Sequence, residues 1–392
     1  MEQLKKTFKA NIRQYGMIIA MVVLVIFFYF VTGAKFGKPM NVSNIIAQNG
    51  YVLVLAIGML LVILTGNIDL AVGSVVAVIG TVAGIMMVRH NIGVVPTILV
   101  CLVCGLIIGI WQGFWIAVVH LPPFIATLAG MLIFRGLTLV LLQGVTIAPL
   151  PKSFSAISSG FLPDFIGIIF HHESKPQLTT LVLAVIGCLL VLRGELVSRR
   201  HKKAYGFEVS SVGMVALKVG LISAAILLVA WRLALYRGIP YVLLIVGALA
   251  LIYNFILSKT TIGRHIYAWG GNAKAAELSG IKTSTIMWGV FINMSFLSAV
   301  AGIVFAARLN SASPQAGEGF EMDAIASCFL GGASATGGVG TITGALVGGL
   351  IMGILNNGMS LMGVSIDWQQ VVKGMVVLLA VSFDMLSKSR SK

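Results

Sequence analysis

Long apolar runs, each free of charged residues, dominate the chain. A transmembrane helix needs about 20 predominantly apolar residues, so several of these runs are long enough to cross a bilayer and some to cross it twice. A helix satisfies its backbone polar groups internally, whereas a β-barrel would show short alternating segments. The pattern therefore predicts an all-α, polytopic membrane protein. The runs without Asp, Glu, Lys or Arg are 14–34, 39–68, 70–88, 90–134, 238–258, 283–307 and 324–366.

The predicted architecture is a single transmembrane domain over residues 1–392 with about ten membrane-spanning helices, within a range of nine to twelve. Polar loops are predicted near 194–213 and 258–285, and a basic tail at 387–392. The stretch 324–366 holds eleven glycines and is predicted to be re-entrant or broken. Two half-helices are favoured there, and two full crossings are the alternative. The predicted helices lie near 15–34, 50–66, 70–88, 95–118, 124–143, 177–193, 214–235, 239–257, 286–307 and 367–386.

Composition excludes the common soluble classes. Of the 392 residues, 58% are hydrophobic and only 10% are charged, whereas an average soluble domain carries about 25% charged residues. Such a chain cannot cover a globule with polar surface, so a soluble enzyme is excluded. The high apolar content also excludes a disordered chain.

The distribution of basic residues predicts the orientation in the membrane. The net charge of +15 comes from 27 basic and 12 acidic residues. Sixteen of the basic residues fall at the two chain ends and in the two predicted polar loops. The positive-inside rule places these segments, and both termini, in the cytoplasm. No aromatic residues interleave with the basic ones in a nucleic-acid-binding pattern, so nucleic acid is not a predicted partner.

A polar interruption, Thr65–Leu70, separates two apolar runs and contains Asp69. Ionisable residues inside a membrane are costly and usually functional. The favoured interpretation is a tight turn, because Gly66-Asn67 is a turn signal and Asp is a good N-cap for the helix that follows. A functional acid is the alternative.

The loop Thr260–Lys282 is too polar to span a membrane and is predicted to contain a short helix. Asn272 is a suitable N-cap, and Gly280 is a typical residue just after a helix C-terminus. The strong helix formers between them favour a helix on the cytoplasmic face. Such a helix is either an inert connection or a docking element for a soluble partner.

Glycines recur at every fourth position in two places, Gly105–Gly113 and Gly340–Gly348. Small residues at this spacing let membrane helices approach closely. The pattern predicts two packing seams, and it leaves open whether they lie within one subunit or between two.

Motifs for covalent chemistry are missing from the sequence. It contains no P-loop G-x-x-x-x-G-K-[ST], no dinucleotide fingerprint and no catalytic triad pattern. Cys101 and Cys104 lie in an apolar run without the further ligands that a structural zinc site needs. For the loop residues 171–173 (His-His-Glu), a solvated loop is favoured over a metal site. We therefore predict no enzyme activity, no catalytic residue and no metal.

Four sequence segments carry a family resemblance, namely Asn67–Ser74, Gly271–Ile281, Asp323–Gly340 and Asn356–Met362. In combination they resemble the membrane permeases of bacterial ABC importers for monosaccharides such as ribose, xylose, arabinose and galactose. The similarity runs almost from end to end, and Thr127–Gly136 looks like the xylose and multiple-monosaccharide branch. Asn67 departs from the family, which often has Glu there, and this removes one charge beside Asp69.

The resemblance implies a permease without an ATPase domain of its own. A second permease subunit, identical or related, would complete the translocation path. A cytoplasmic tandem-cassette ATPase would bind ATP and Mg, and an extracytoplasmic binding protein would deliver the sugar, so this chain itself would carry no cofactor. The implied location is the bacterial cytoplasmic (inner) membrane, in contact with lipid. An ion-coupled secondary transporter of a small polar solute is the alternative.

The resemblance also assigns site residues. By analogy with such importers, the short cytoplasmic helix would couple the permease to the ATPase through Gly271, Asn272, Ala275, Ala276, Glu277, Ser279 and Gly280.

Polar side chains in otherwise apolar stretches are candidates for the translocation path, with hydrogen bonding between helices as the alternative role. Arg308, Glu318 and Glu321, with Asp323, are predicted to lie outside, where they would meet the binding protein or form an ordinary solvated loop. The path candidates are Asn67, Asp69, Asn293, Asn356, Asn357 and Ser360.

Overall fold

The computed structural model describes residues 12–170, 175–206 and 212–389. These residues form helices and contain no β-strand beyond two isolated bridges, Ile147–Ala312 and Phe161–Pro240. The helices, numbered in chain order, are α1 (Ile12–Val31), α2 (Pro39–Leu64), α3 (Val72–Gly84), α4 (Val94–Ala117), α5 (Pro123–Leu142), α6 (Lys152–Ser159), α7 (Phe165–Ile169), α8 (Leu178–Ala204), α9 (Val212–Ala234), α10 (Tyr241–Lys259), α11 (Thr261–Gly271), α12 (Ala273–Leu278), α13 (Thr283–Leu309), α14 (Phe320–Leu330), α15 (Ile342–Leu361) and α16 (Ile366–Ser389).

The predicted all-α, polytopic membrane fold is confirmed. Within the described ranges, nine helices are long and apolar enough to cross a membrane. Two of them exceed their predicted bounds. α2 begins at Pro39 rather than near residue 50, because proline fits the first turn of a helix and nothing after it breaks the pattern. α8 continues to Ala204, through the basic residues that were predicted to form a loop.

The chain divides into two compact units. The smaller unit comprises residues 37–44 and 160–241 and contains α7, α8 and α9. α8 and α9 pack side by side, and an ion pair joins Lys218 to Glu195. Asp164 connects α7 to α8, because its carboxylate accepts hydrogen bonds from the backbone N–H groups of Gly167, Leu178 and Thr179.

In the larger unit, α2 is the central helix. Its side chains from Val52 to Leu64 are almost all buried. The predicted seam Gly105–Gly113 lies in this unit, between α4 and α13. A Cβ atom on Gly105 would lie 2.5 Å from the Ala299 Cβ, and one on Gly109 would lie 2.6 Å from the Ile292 Cα. This seam therefore packs helices within one chain.

The Gly-rich region is a broken helix, as predicted, but its two arms are unequal. α14 has 11 residues, about 16 Å, and cannot cross a bilayer core of about 30 Å. α15 has 20 residues and qualifies as a full span. The expectation of two half-helices is therefore wrong for the second arm.

Contacts along α2 give the direction of both arms. The Phe320 ring at the start of α14 stacks on Tyr51 near the middle of α2, and the Cys328 thiol, two turns later, reaches the Ala56 carbonyl. α14 thus runs parallel to α2. The turn 331–341 reaches the Leu64 end of α2, and α15 then returns along α2 to the level of Gln48, which accepts from Asn357. The glycines of α15 allow this close return along α2 from Leu64 to Gln48.

Candidate functional site

The predicted short helix after residue 272 is present as α12. The Asn272 side chain accepts from the Ala275 N–H at 3.0 Å and caps the N-terminus, as predicted. The preceding helix α11 is capped in the same way, since the Thr260 hydroxyl accepts from the Gly263 N–H at 3.3 Å. The Asn272 cap is local, which explains why the sequence alone predicts it, whereas the sequence analysis did not predict α11 or its Thr260 cap.

The C-terminus of α12 is also as predicted. Gly280 adopts a left-handed φ of +82°, and the Ile281 N–H reaches the Ala276 carbonyl at 3.1 Å. The Ser279 hydroxyl donates to the Ala275 carbonyl at 2.8 Å. Among the residues assigned to coupling, Ala276 alone is buried, while Gly271, Asn272, Ala275, Glu277, Ser279 and Gly280 are exposed. Next to them, the Leu278 side chain is 84% exposed.

Helix α11 packs against two segments, the C-terminal end of α2 and the turn 331–341. A Cβ atom on Gly270 would overlap the Leu64 carbonyl oxygen. The Gly338 N–H donates to the same oxygen at 2.9 Å. The Tyr267 hydroxyl donates to the Gly340 carbonyl at 2.7 Å, and burial raises the pKa of Tyr267, so the hydroxyl stays protonated. α11 is therefore tied by backbone contacts to the turn that joins α14 and α15.

Asn67 lines a cavity of about 480 Å³ beside the α11–α12 pair. Trp269, Asn272 and Met287 line the same cavity. The Asn67 amide donates to the carbonyl and hydroxyl oxygens of Thr65, both at 3.0 Å. Asn67 thus lies at the Leu64 end of α2, at the wall of an open space.

The predicted turn is present at Thr65–Gly66, where Gly66 has a φ of +74°, but the prediction that Asp69 is the N-cap of α3 is wrong. The cap position is held by Ala71, whose side chain makes no capping bond. Asp69 is 1% exposed. Its carboxylate accepts from the Ala71 N–H and from the Gln112 amide of α4, both at 2.9 Å. The acid therefore joins the Thr65–Leu70 segment to α4 inside the protein.

The remaining path candidates do not meet Asn67. Asn293 on α13 accepts a hydrogen bond from Tyr253 of α10, and its buried amide nitrogen has no hydrogen-bond partner among the described residues. Asn357 donates to Gln48 at 3.4 Å, and Ser360 accepts from Gln369 at 3.3 Å. These last contacts, and the buried carbonyl oxygen of Asn356, lie in the second half of α15, level with Gln48 of α2 and away from Asn67, which follows the Leu64 end.

The residues predicted to meet a binding protein lie on and near the segment between α13 and α14. Arg308 is in the last turn of α13, and Glu318 is exposed just before α14. Glu321 is half-buried in the first turn of α14, where its carboxylate faces Gly73 at the start of α3. Their docking role stays a prediction.

Sequence reasoning missed the partner of Asp323. This residue is 5% exposed, so the expectation that it meets a binding protein or lies in a solvated loop is wrong. Both of its carboxylate oxygens contact the Lys373 ammonium of α16, at 3.0 and 3.2 Å. The pair borders a cavity of about 850 Å³ between α14 and α16. The available signal was that Lys373 is the one charged residue from 368 to 383, since an ionisable group in an apolar helix usually has a partner.

Within 12–170, 175–206 and 212–389, no three His, Cys, Asp or Glu side chains are grouped so that they could hold a metal. Residues 171–173, for which a metal was the less favoured interpretation, lie outside the described residues.

Comparison with known proteins identifies the family. The family model described as "Branched-chain amino acid transport system / permease component" matches residues 41–196 and 197–381. The xylose transport system permease protein of Haemophilus influenzae is 40% identical over 97% of this chain and 98% of its own length. The corresponding Escherichia coli protein is 38% identical over 97% and 94%. The ribose import permease protein of Bacillus subtilis is 34% identical over 98% and 96%. No solved structure matches the chain. The chain therefore belongs to this family of transport-system permease components.

Proposed function

We propose that the chain is the permease subunit of an ABC importer and forms the translocation path for a xylose-like monosaccharide. The names of the relatives, which are xylose and ribose permeases, support this substrate class. The observation that carries the mechanism is the α11–α12 pair, which exposes a capped helix on one side and contacts Leu64 and Gly338 on the other. A separate tandem-cassette ATPase binds ATP and Mg, and an extracytoplasmic binding protein supplies the sugar.

Coupling follows from the packing of α11. Closure of the ATPase displaces α12, and α11 transmits the displacement to Leu64 and to the turn 331–341. Because Gly270 and Gly338 place backbone directly against backbone, no flexible side chain is present to absorb the movement. The turn then shifts α14 and α15, and the path changes from outward to inward access. The nucleotide acts by favouring one of two states of the permease.

The other assignments complete the proposal. Asn67 borders the inner end of the path, and Asn356, Asn357 and Ser360 lie near its outer end, with Asp69 and Asn293 holding helices between them. Arg308, Glu318 and Glu321 form a charged rim that speeds the encounter with the binding protein. A second permease subunit completes the path. Both chain termini face the cytoplasm, and the complex lies in the bacterial inner membrane in contact with lipid.

The test reconstitutes this chain in liposomes with the ATPase and binding protein of the same transport system. We expect xylose uptake that requires ATP and all three proteins. Replacing Leu278 with Glu places a charge on the exposed face of α12, and we expect at least a tenfold loss of uptake and of ATPase stimulation. Leu309→Glu is the matched control, since Leu309 is also exposed but lies at the other end of α13. Full ATPase stimulation by Leu278→Glu contradicts the coupling role.

An ion-coupled secondary transporter is the second candidate, and the buried Asp323–Lys373 pair favours it. It predicts uptake in vesicles that contain this chain alone, driven by an ion gradient and abolished by a protonophore. Such uptake without an ATPase would overturn the importer proposal.

A further inference from the structure

We propose that the cavity between α14 and α16 is a weak binding site for a neutral monosaccharide, with the Asp323–Lys373 pair as its polar side and Tyr51 as its apolar wall. The inference rests on the proposed function, because it names where the transported solute contacts this chain. The cavity has about 850 Å³, within the roughly 300–1,000 Å³ of small-molecule sites.

The position of the ion pair suits a translocation path. Asp323 lies one turn after Phe320, which stacks on Tyr51, so the pair is level with the middle of α2. Ionisable residues at such a depth are costly, and they usually mark a substrate or ion pathway. A buried ion pair by itself adds little to stability compared with apolar residues of similar volume. A purely structural role therefore gives no reason to place two charges here.

The two charges are unequally covered. The Asp323 side chain is 6% exposed, whereas the Lys373 side chain is 23% exposed and lines the cavity. An ammonium has three N–H donors and a carboxylate has about four acceptor sites. Their mutual contacts use only part of this capacity, and the remainder can bind the hydroxyl groups of a sugar.

The pairing of Asp323 with Lys373 also keeps the affinity for the sugar low. When the sugar leaves, each charge still has its partner, so neither is left buried and uncompensated. Binding and release then cost little, which a path requires because the solute must be able to leave. High affinity at this point would trap the sugar inside the permease.

Two aromatic side chains, Tyr51 and Phe320, line the same cavity as the ion pair. Tyr51 lines the cavity and stacks on Phe320 with ring centroids 4.2 Å apart, and Phe305 meets Phe320 edge to face at 4.8 Å. The electron-rich face of an aromatic ring suits the C–H groups of a sugar ring. Polar groups and an aromatic wall in one cavity therefore match a solute with hydroxyl groups at its edge and C–H groups on its faces.

Two double variants separate this role from a structural one, measured in the complete reconstituted complex. Asp323→Leu with Lys373→Met removes both charged groups of the pair but keeps apolar packing at the two positions. We expect a normal melting temperature and normal ATPase stimulation, with xylose uptake at least tenfold lower. Asp323→Asn with Lys373→Gln keeps hydrogen-bonding groups without charge, and we expect at least a third of wild-type uptake.

If the ion pair has only a structural role, xylose uptake should be higher in the Leu/Met variant than in the Asn/Gln variant. The reason is that apolar residues replace a buried pair well, whereas neutral polar residues do not. Uptake by the apolar variant at the wild-type rate, or uptake lost equally in both variants with a lowered melting temperature, overturns the inference. Asp367→Leu is the control, since this exposed acid of α16 does not line the cavity. If the wild-type complex shows no ATP-dependent uptake, the proposed function itself fails. That outcome differs from the two results with the double variants that would overturn only this inference.

Discussion

α2 and α9 have similar hydropathy, yet they occupy opposite environments. In the most apolar window of α2, 89% of the residues are buried, compared with 6% in α9. α8 resembles α9, and α15 resembles α2. Mean hydropathy therefore identifies a membrane helix without telling whether protein covers it, because lipid tails are as apolar as leucine side chains.

The surroundings of the glycines distinguish the buried helices α2 and α15 from the exposed helices α8 and α9. On α15, a Cβ atom on Gly348 would overlap the Ser327 carbonyl of α14, and one on Gly353 would lie 2.7 Å from the Asn49 side chain. On α8 and α9, a Cβ atom on Gly187 or Gly220 would meet nothing within 4 Å. The same residue type thus permits close backbone contact on α15, whereas on α8 and α9 no described residue of this chain lies close to it.

The largest expected effect comes from filling the contact between α14 and α15. Gly348→Leu forces the two backbones apart, and we expect a loss of about 3 kcal/mol or more, since overpacking of a core already costs about 1–3 kcal/mol. Denaturation in SDS and gel filtration in mild detergent measure the loss. Gly187→Leu in α8 is the matched control and should change neither. Equal stability of the two variants would mean that the α14–α15 contact is not tight.

A smaller effect is expected at Asp164, which connects α7 to the start of α8. Asp164→Ala removes the acceptor for the Gly167, Leu178 and Thr179 N–H groups, and we expect a local loss of about 1–2 kcal/mol. Hydrogen exchange at Leu178 and Thr179 reports it. Amides of α15 are the internal control, and faster exchange there would show that the effect is not local.

The effect of Asp164 depends on pH in a defined direction. Desolvation raises the pKa of Asp164, but the hydrogen bonds from Thr179, Gly167 and Leu178 outweigh it and lower the pKa from its ordinary value. The stabilisation is therefore complete above the unfolded pKa of about 3.9 and is lost as the pH falls through the lower folded value. The exchange difference between wild type and Asp164→Asn should shrink only below about pH 4. A difference that already fades near neutral pH would contradict this sign.

The smallest effect is expected at the ion pair between α8 and α9. The Lys218 side chain is 56% exposed and that of Glu195 is 24% exposed. Exposed pairs contribute about 0–1 kcal/mol, so Glu195→Gln should shift the midpoint of SDS denaturation only slightly. A loss of stability comparable to that of Gly348→Leu would show that the packing of α8 against α9 depends on charge rather than on apolar contacts.

Local features were predictable and long-range ones were not. The caps at Asn272 and Gly280 depend on neighbouring residues, so the sequence shows them directly. The predicted start of α2 was too late because Asn41, Ser43 and Asn49 are polar. In the structure these residues are buried, and the segments that cover them could not be identified from the local sequence. The Asp323–Lys373 pair spans 50 positions, and no local pattern links the two residues.

The sequence by itself determined that this is an all-α membrane protein with a capped helix in a polar loop, because hydropathy, charge distribution and helix capping act over a few residues. Only the tertiary structure decided which helices are buried, that α15 returns along α2 as far as Gln48, and that Asp323 meets Lys373 at a cavity. These features depend on the approach of distant backbones, which glycine allows but does not specify.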